Sequence, residues 1–400
     1  MKKDWTIKKL GDLCEVITKG TTPTSIGYEF QKTGINFIKV ETFSMDGFLL
    51  PDKVAHISKE CNETLKRSQL KEDDILFSIA GALGRTAIVD KSILPANTNQ
   101  ALAIIRLYDK NPISLKYLIY YFGSEAVKKQ IDKDKGGVAQ QNLSLKQISE
   151  FDIYIPPLEE QKRIVAVLDK KFTQIETLKT AAEKNLQNTK QLFQAELEKA
   201  FSNTSWERVL LSEIALDFSR GKSKHRPRND KILFGGDYPF IQTGDIRNSD
   251  KYVTEYTETY NETGLAQSKL WPEGTLCITI AANIAETAIL TFPCCFPDSI
   301  IGFIPNEKRT SVDYIYYVIQ FFKTELQKLS KGAAQDNLNL AKLESMKFPL
   351  PPLEEQKRIV AHLDSLSEKV HQLEEIYTKQ LTDCDELKQS FLQKVFEGEL

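Results

Sequence analysis

The chain has 400 residues, of which 53 are Lys or Arg and 55 are Asp or Glu, so its formal net charge is −2. Apolar residues make up 41% and charged residues 27%, which excludes wholesale disorder, and the length suits two or three domains with separate cores. No apolar run approaches the roughly 18 residues of a membrane span, the N-terminus lacks the apolar region of a signal peptide, and the charge balance argues at first against a nucleic-acid binder.

In chain order the elements form two globular halves, residues 1–155 and 206–350, each followed by a long segment, residues 156–205 and 351–400. Short β-branched runs between Gly, Pro, Asn and Asp indicate strands, and apolar residues spaced three or four apart indicate one helix in each half. The predicted elements are strands at Ile35–Val40, Ile75–Ile79, Thr86–Val89 and Leu102–Leu107, a helix at Leu115–Ile131, strands at Thr275–Ile280 and Ile300–Ile304, and a helix at Val312–Leu329.

An internal repeat relates the two halves. The segment Ile155–Asp169 recurs as Leu350–Asp364, with 13 of 15 positions identical at an offset of 195. Weaker matches surround it, including Trp5 with Trp206, Gly20 with Gly221, Phe37-Ile38 with Phe240-Ile241, and Thr86-Ala-Ile with Thr287-Ala-Ile. Such a pattern predicts one structural unit built twice.

The two long segments are predicted to be helices. Each follows a Pro-Pro pair, carries two Glu in its first turn, and lacks Gly and Pro between Leu158 and Phe201 or between Leu353 and Phe396. A helix of this length is about 65 Å long. Its apolar residues follow a coiled-coil spacing, at Ile164, Leu168, Ile175, Leu178, Ala182, Leu186, Phe193, Leu197 and Phe201 in the first segment, and at Ile359, Leu363, Leu366, Val370, Leu373, Tyr377, Leu381, Cys384, Leu387, Phe391 and Val395 in the second.

The predicted fold is therefore α+β, with two pseudo-repeated, strand-rich mixed domains separated by two long helices that form an antiparallel coiled coil. The alternative, in which each helix lies on its own globular half, is less favoured because the apolar stripes are narrow and long.

The sequence lacks the common motifs of catalysis and metal binding. None of the six Cys forms C-x-x-C, and the four His have no ligand spacing, so buried thiols in a reducing cytoplasm are expected. There is no phosphate-binding loop, dinucleotide fingerprint or nucleophile elbow. The pairs Pro51-Asp52 and Pro297-Asp298 lack the following acidic-x-Lys of a nuclease metal site. We therefore expect a binding protein with no catalytic site, metal or cofactor of its own.

Charge is unevenly distributed along the chain. Residues 351–400 contain 6 basic and 11 acidic groups, a net charge of −5, whereas residues 220–231 contain six basic groups and one acid. This basic loop contains Gly and Pro, and such clusters bind phosphates while Arg recognises guanine. A solvated loop is an equal alternative until the architecture is considered. The matching first-half loop is rich in hydroxyl groups, which contact phosphates or simply form turns.

The candidate DNA-contacting residues are these loops and the polar residues after the matched Phe-Ile pairs. In the first half they are Lys19, Thr21, Thr22, Lys39, Glu41 and Arg85, and in the second half Arg220, Lys222, Lys224, Arg226, Arg228, Gln242, Asp245 and Arg247. The turns at Gln140-Gln141-Asn142 and Gln335-Asp336-Asn337 are interpreted as helix caps in preference to DNA contacts.

The architecture favours DNA. Two similar domains on an antiparallel spacer are related by a pseudo-two-fold axis, and two-fold DNA readers place their domains about 34–36 Å apart. Because the halves differ in sequence, the predicted target is asymmetric and split, with an unread gap set by the helices.

The paired P-P-L-E-E-Q-K-R-I-V-A motif, each copy opening a long helix behind a variable domain, resembles the specificity subunits of type I restriction-modification systems. The Gly-Thr-Thr-Pro of residues 20–23, the Phe-Ile-Gln-Thr-Gly-Asp-Ile of residues 240–246 and the closing Phe396-Glu-Gly-Glu-Leu400 are also similar to that family, and the resemblance covers essentially the whole chain.

The resemblance implies two target-recognition domains, one for each part of a bipartite site in double-stranded DNA of a prokaryotic cytoplasm. It implies helices that set the gap and dock two methyltransferase subunits, which use S-adenosylmethionine to methylate adenine at N6, and translocating restriction subunits that use ATP and Mg²⁺. The near-identical helix starts suit docking of one partner type twice, through Glu160, Gln161, Arg163, Glu355, Gln356 and Arg358. The alternative function is a coiled-coil scaffold whose two domains bind proteins.

Overall fold

The computed structural model describes residues 4–43, 50–110, 112–133, 142–281, 284–330 and 340–397. Its contacts divide the chain into two compact units. Unit 1 consists of Met1–Glu183 and Lys379–Leu400, and unit 2 consists of Lys184–Thr378. Each unit therefore contains one globular half together with a part of both long helices.

The described part of unit 1 is rich in short strands. These are β1 Thr6–Lys9, β2 Cys14–Lys19, β3 Ile35–Ile38, β4 Ala55–Ile57, β5 Ile75–Ser78, β6 Thr86–Ile88, β7 Ala96–Thr98, β8 Leu102–Leu107 and β9 Asp152–Ile155. The helices before the long one are α1 Lys59–Thr64, α2 Leu115–Phe122, α3 Glu125–Lys133 and α4 Leu145–Ser149. The strands form sheets ordered β2-β8-β5-β6 and β4-β3-β7, and β1 pairs with β9.

Strand β8 explains why a continuous apolar run forms a strand here. Ala103 and Ile105 point into the core that contains α2 and α4, whereas Leu102 and Ile104 point into a second core beneath the smaller sheet. Because successive side chains of a strand face opposite ways, a strand between two cores needs apolar residues at every position.

The long helices follow the predicted segments. Helix α5 spans Leu158–Phe201, and the last helix, α10, spans Leu353–Glu397. Between them unit 2 has strands β10 Glu207–Leu210, β11 Ala215–Arg220, β12 Phe234–Phe240, β13 Tyr252–Val253, β14 Glu258–Tyr260, β15 Leu270–Trp271, β16 Leu276–Thr279, β17 Thr287–Leu290, β18 Cys294–Cys295, β19 Ile300–Pro305 and β20 Lys347–Leu350. Its other helices are α6 Thr243–Asn248, α7 Glu262–Ala266, α8 Val312–Ser330 and α9 Leu340–Ser345.

The sheets of unit 2 repeat those of unit 1. The order β11-β19-β16-β17 corresponds to β2-β8-β5-β6 and is extended by β13, while β14-β12-β18 corresponds to β4-β3-β7 and is extended by β15. The pair β10-β20 corresponds to β1-β9. The prediction of one α+β unit built twice is confirmed.

The long helices pack antiparallel, as predicted. In unit 1, Ile164 and Leu168 near the start of α5 share a core with Leu392 and Val395 near the end of α10. In unit 2 the ends are exchanged, so that Leu197 and Phe201 of α5 lie in one core with Ile359 and Leu363 of α10. None of the helices in the described ranges is long and apolar enough to cross a membrane.

Two details differ from prediction. The segment Leu115–Ile131 forms two helices, because α2 ends at Gly123 and the Ser124 carbonyl accepts the first hydrogen bonds of α3. Leu178, placed in the α5 seam by its spacing, is 58% exposed. The turns at Gln140-Gln141 and Gln335-Asp336-Asn337 lie outside the described residues.

Candidate nucleic-acid interface

The ends of three strands meet at one place in unit 1. Gly20, directly after β2, donates a backbone hydrogen bond to the Asn99 carbonyl at 3.1 Å. A Cβ at Gly20 would lie 1.8 Å from the Thr98 carbonyl oxygen, so only glycine permits this approach. Thr98 also pairs with Ile38, the last residue of β3. The hydroxyl-rich loop after β2 and the turn after β3 therefore both adjoin residues 98–100.

The first-half candidates gather around this segment. Thr22 donates a hydrogen bond from its hydroxyl to the Gln100 side chain, and Thr21 beside it is partly exposed. Lys39 lies 3.8 Å from the Glu41 carboxylate and 4.4 Å from the centre of the Phe30 ring. The carboxylate partly neutralises the ammonium charge, and the ring covers one side of it. The exposed Lys19 precedes Gly20.

Arg85 stands apart from this cluster. The registers of β2, β8, β5 and β6 put Lys19 and Arg85 at the same end of the sheet, since Lys19 pairs with Ala103 and Phe77 pairs with Thr86. Three strand spacings separate them, about 14 Å. Arg85, a predicted DNA contact, therefore lies at this end of the sheet, directly before β6.

Unit 2 builds the same junction with different chemistry. Gly221, directly after β11, donates to the Ile300 carbonyl at 2.9 Å, and a Cβ there would lie 2.3 Å from the Phe296 carbonyl oxygen. The basic loop that follows is held by α7 and its flank. The Gln267 side-chain oxygen accepts from the backbone N–H groups of Lys224 and His225, at 2.6 and 3.0 Å.

Further hydrogen bonds hold the basic loop, one from outside it and one within it. The Ser268 hydroxyl donates to the Lys222 carbonyl at 3.0 Å. His225 Nε2 lies 2.9 Å from the Asp230 carboxylate, and this hydrogen bond holds the pKa of Asp230 below its ordinary value. The side chains of Arg220, Lys222 and Lys224 remain exposed. The loop is therefore a shaped surface with outward-facing cations.

The two central arginines of this loop differ in their partners. Arg226 donates from Nη1 to the Ser223 and His225 carbonyls, at 2.6 and 2.8 Å, so it stabilises the loop backbone. Arg228 donates from Nη2 to Asp298 at 2.6 Å. The second carboxylate oxygen of Asp298 lies 3.9 Å from Arg226.

A cleft of about 500 Å³ opens beside the basic loop in unit 2. Arg228 and Lys231 line one part of it and Gln242 another, with Phe234 and Phe240 as apolar wall. Gln242 donates from Nε2 to the Glu258 carboxylate at 2.7 Å. The structure thus brings together Arg228 and Gln242, which are separate in sequence and carry the side chains that recognise guanine and adenine.

Asp245 and Arg247 lie on the short helix α6. The Asp245 carboxylate accepts the backbone N–H of Gln242 at 2.7 Å, which is a helix cap, whereas Arg247 is exposed. Thr42 makes the equivalent contact in unit 1, accepting from the Lys39 N–H at 2.9 Å. Asp245 therefore has a structural role besides the predicted contact with a base.

Sequence reasoning missed Gln100, Glu258, Gln267 and Asp298. Gln100 and Asp298 occupy equivalent positions two residues before β8 and β19, and each contacts the loop after the first long strand of its unit. The Pro297-Asp298 pair resembles only the start of a nuclease motif, so its sequence does not point to this contact. Repeat alignment at the drifted offset of 198 would have paired positions 100 and 298.

The predicted docking residues divide into surface and interior groups. Glu160 and Arg163 form an ion pair of 2.7 Å within one turn of α5, and Glu355 and Arg358 form the same pair in α10 at 2.6 Å. The hydrogen bond from Arg358 holds the pKa of the Glu355 carboxyl below its ordinary value. These four side chains are at least partly accessible to a partner.

Gln161 and Gln356, which were predicted as docking residues, are buried and make hydrogen bonds within the chain. Gln161 accepts from the Ser114 N–H at 2.8 Å and donates to the Pro112 and Pro156 carbonyls. Gln356 makes the equivalent bonds, with Thr310 and with the Arg309 and Pro351 carbonyls. Both repeats carry Gln at this position because its side chain joins the start of the long helix to the globular half that precedes it.

The last residue of the repeated motif has a similar internal role. Asp169 accepts from Lys116 at 2.7 Å and from the Tyr120 hydroxyl. Asp364 accepts from Lys251 at 2.7 Å and from the Tyr317 hydroxyl at 2.5 Å. Burial alone would lower the pKa of Lys251, but hydrogen bonds to Asp313 and Asp364 raise it above the ordinary value. Much of the repeated motif is therefore a joint between helix and domain.

Fold and site together define a class of protein with two related binding units on one pair of helices. One α+β recognition unit is built twice on a pair of antiparallel helices, with different polar side chains at equivalent surface junctions. In the described part of the chain, no group of three or more His, Cys, Asp or Glu side chains is arranged to hold a metal ion.

Comparison with known proteins identifies the family. The family "Type I restriction modification DNA specificity domain" matches residues 2–187 and again residues 203–382, and the chain belongs to this family. The putative MjaX specificity subunit of a type I restriction enzyme from Methanocaldococcus jannaschii is 25% identical over 100% of this chain and 94% of its own. The MjaVIII specificity subunit from the same organism is 26% identical over 100% and 93%.

A solved structure has the same fold. A chain from a study of complex assembly and conformational transition in the type I restriction-modification system superposes with a TM-score of 0.82 at 21% identity, covering 100% of this chain and 99% of the other. The predicted family and fold class are confirmed.

Proposed function

We propose that the chain is the DNA-sequence specificity subunit of a type I restriction-modification complex. Residues 1–155 and 206–350 act as two target-recognition domains, each for one part of an asymmetric bipartite site. The helical segments 156–205 and 351–400 set the gap between the two parts and dock methyltransferase subunits. The chain itself supplies recognition, and chemistry belongs to its partners.

One observation carries the proposal: the same junction occurs in both units with different side chains. After β2 the loop presents Thr22 to Gln100, and after β11 it presents Arg228 to Asp298. A repeated backbone supports two domains of one kind, and changed polar groups at matching positions suit two different base sequences.

The partners follow from family membership and from charge. Double-stranded DNA suits the exposed cations of the basic loop, and the −5 charge of residues 351–400 suits a protein partner better than DNA. Two methyltransferase subunits would bring S-adenosylmethionine, and restriction subunits would bring ATP and Mg²⁺. A DNA target and the prokaryotic source of the relatives support the cytoplasm of a prokaryotic cell as the location of the complex.

The proposal is tested by mapping methyl-adenine across the genome of a host that carries the chain with its methyltransferase subunits. An asymmetric two-part motif with a constant gap is expected. Absence of any sequence-dependent methylation, with protein partners still captured by the helices, would favour a protein-binding scaffold instead.

Arg228→Ala should weaken DNA binding, and the salt dependence of the remaining affinity shows which part of the DNA Arg228 contacts. If Arg228 neutralises one phosphate, the magnitude of the slope of log affinity against log salt should fall by about 1. If Arg228 contacts a base edge, that slope should stay constant. Affinity measured by gel shift between low and high salt decides between these. Lys308→Ala, an exposed cation beyond the far end of β19, is the matched control, and equal affinities of the two variants would remove Arg228 from the interface.

A heptad inserted into both long helices should lengthen the gap and leave both half-sites unchanged. Seven residues after Glu183 and seven after Thr378 add about 10 Å, or roughly three base pairs of unread sequence. Mapping of methylated sites gives the new gap directly. A gap that stays constant would show that the helices are not the spacer. Each inserted heptad repeats the seven residues before it, so that the helix and its apolar spacing are preserved.

A further inference from the structure

The contact between Arg228 and Asp298 has more specific consequences than charge neutralisation. Arg228 Nη2 lies 2.6 Å from Asp298 Oδ1, at the edge of the 500 Å³ cleft, and the Arg228 side chain is 48% exposed. The Asp298 side chain is 37% exposed and lies between β18 and β19, whereas Arg228 lies in the basic loop. The carboxylate thus joins the Arg228 side chain to the strand-connecting segment of the sheet.

We propose that Asp298 is a positioning residue for Arg228, and that Arg228 held in this way recognises a guanine in one half of the target site. This inference rests on the proposed function. The ligand is the major-groove edge of guanine, whose O6 and N7 accept two hydrogen bonds from one guanidinium.

The guanidinium group suits this division of its donors. It carries five N–H groups in a planar fork, so a carboxylate at one terminal nitrogen leaves another edge to face a base. Orienting the side chain before DNA arrives lowers the entropy lost on binding and selects one angle of approach. A bidentate contact depends on that angle, whereas a phosphate contact tolerates several.

Arg226 is the less suitable reader of the two arginines. Its Nη1 donates to two backbone carbonyls of its own loop, at 2.6 and 2.8 Å. If these hydrogen bonds broke when DNA bound, the loop would lose the backbone conformation that they stabilise. The loop backbone is further held by Gln267 and Ser268. Arg226 therefore shapes the loop from which Arg228 projects.

The equivalent junction in unit 1 restricts this recognition to one half. Position 100 is Gln, and its contact is with the Thr22 hydroxyl. A hydroxyl and an amide each offer both a donor and an acceptor, so this pair does not impose the two-donor pattern that guanine needs. The guanine should therefore belong to the half-site read by unit 2 alone.

The experiment selects bound duplexes from a library randomised in both half-sites, using the full-length chain with its methyltransferase subunits. Asp298→Asn is compared with Glu307→Gln, which removes one negative charge beyond the opposite end of β19. Asp298→Asn should reduce preference for guanine at one position of one half-site about tenfold or more, and Glu307→Gln should leave it unchanged. Arg228→Ala should lose preference at the same position.

A second measurement separates positioning from a structural effect. If Asp298 acts through Arg228, adding Asp298→Asn to Arg228→Ala should cause no further loss of guanine preference, because the two residues share one interaction. Losses that multiply would overturn the proposal. So would an Asp298→Asn variant that keeps its guanine preference, or one that binds all sequences more tightly, since the carboxylate would then only mask charge.

Failure of the proposed function looks different. If the wild-type assembly selects no sequence, the chain is not a specificity subunit and this inference falls with that function. If the wild type selects a two-part site and Asp298→Asn selects the same bases, only the role of Asp298 is overturned.

Discussion

Gly221→Ala should abolish recognition of one half-site and spare the other. The new methyl group would lie 2.3 Å from the Phe296 carbonyl oxygen and 2.4 Å from the Pro297 carbonyl oxygen, both backbone atoms that cannot rotate away. Either β11 or the segment before β19 must shift, which costs about 1–3 kcal/mol and moves the basic loop away from Asp298. Selection from a randomised duplex library should show one half of the motif replaced by random sequence.

Gly244→Ala is the matched control for this variant. Gly244 lies in α6 of the same unit, and a Cβ there would contact nothing within 4 Å. That variant should bind as the wild type does. Loss of both half-sites in Gly221→Ala would mean that the substitution disrupts the whole chain or its assembly, and an unchanged motif would mean that the junction after β11 does not contact DNA.

Gln356→Ala should produce the largest loss of stability among the variants considered. Gln356 is 1% exposed, accepts from the Thr310 hydroxyl at 3.0 Å, and donates to the Arg309 and Pro351 carbonyls at 3.0 and 2.9 Å. Truncation leaves these buried groups without that partner and creates a cavity, so we expect unit 2 to lose about 2–4 kcal/mol. Urea unfolding followed by tryptophan fluorescence measures this loss.

Gln191→Ala is the control, since Gln191 is an exposed glutamine of α5 in the same unit. Gln356→Leu keeps most of the volume and removes the hydrogen bonds, so it separates the cavity from the polar contribution. A midpoint for Gln356→Ala equal to that of Gln191→Ala would contradict the internal role and restore Gln356 as a candidate surface residue.

The charge balance that argued against DNA has a different meaning in three dimensions. The acidic excess lies on α10, whereas Arg220, Lys222 and Lys224 are exposed in the loop that follows β11. Within that loop the charge is also reduced locally, because Asp298 and Asp230 pair with Arg228 and His225. These pairs shape the basic surface, and its outward-facing positive charge comes from the exposed Arg220, Lys222 and Lys224.

The sequence by itself determined the repeat, the fold class and the long helices. A 44-residue segment without Gly or Pro, with apolar residues three or four apart, has few alternatives to a paired helix. The strands from 102 to 107 and from 300 onward are equally clear, since runs that are mostly apolar and contain Ile suit a strand between two cores. These features depend on local periodicity, which the chain displays directly.

The tertiary structure decided which side chains of a motif face inward. Glu160 and Gln161 are neighbours in sequence, but successive residues of a helix point about 100° apart, so one forms a surface ion pair and the other is buried against residues 112–114. The same holds for Arg228 with Asp298, which are 70 residues apart and meet only because the β11 loop folds against the start of β19. Contacts between distant segments depend on sheet register and loop path, and no local pattern in the sequence contains them.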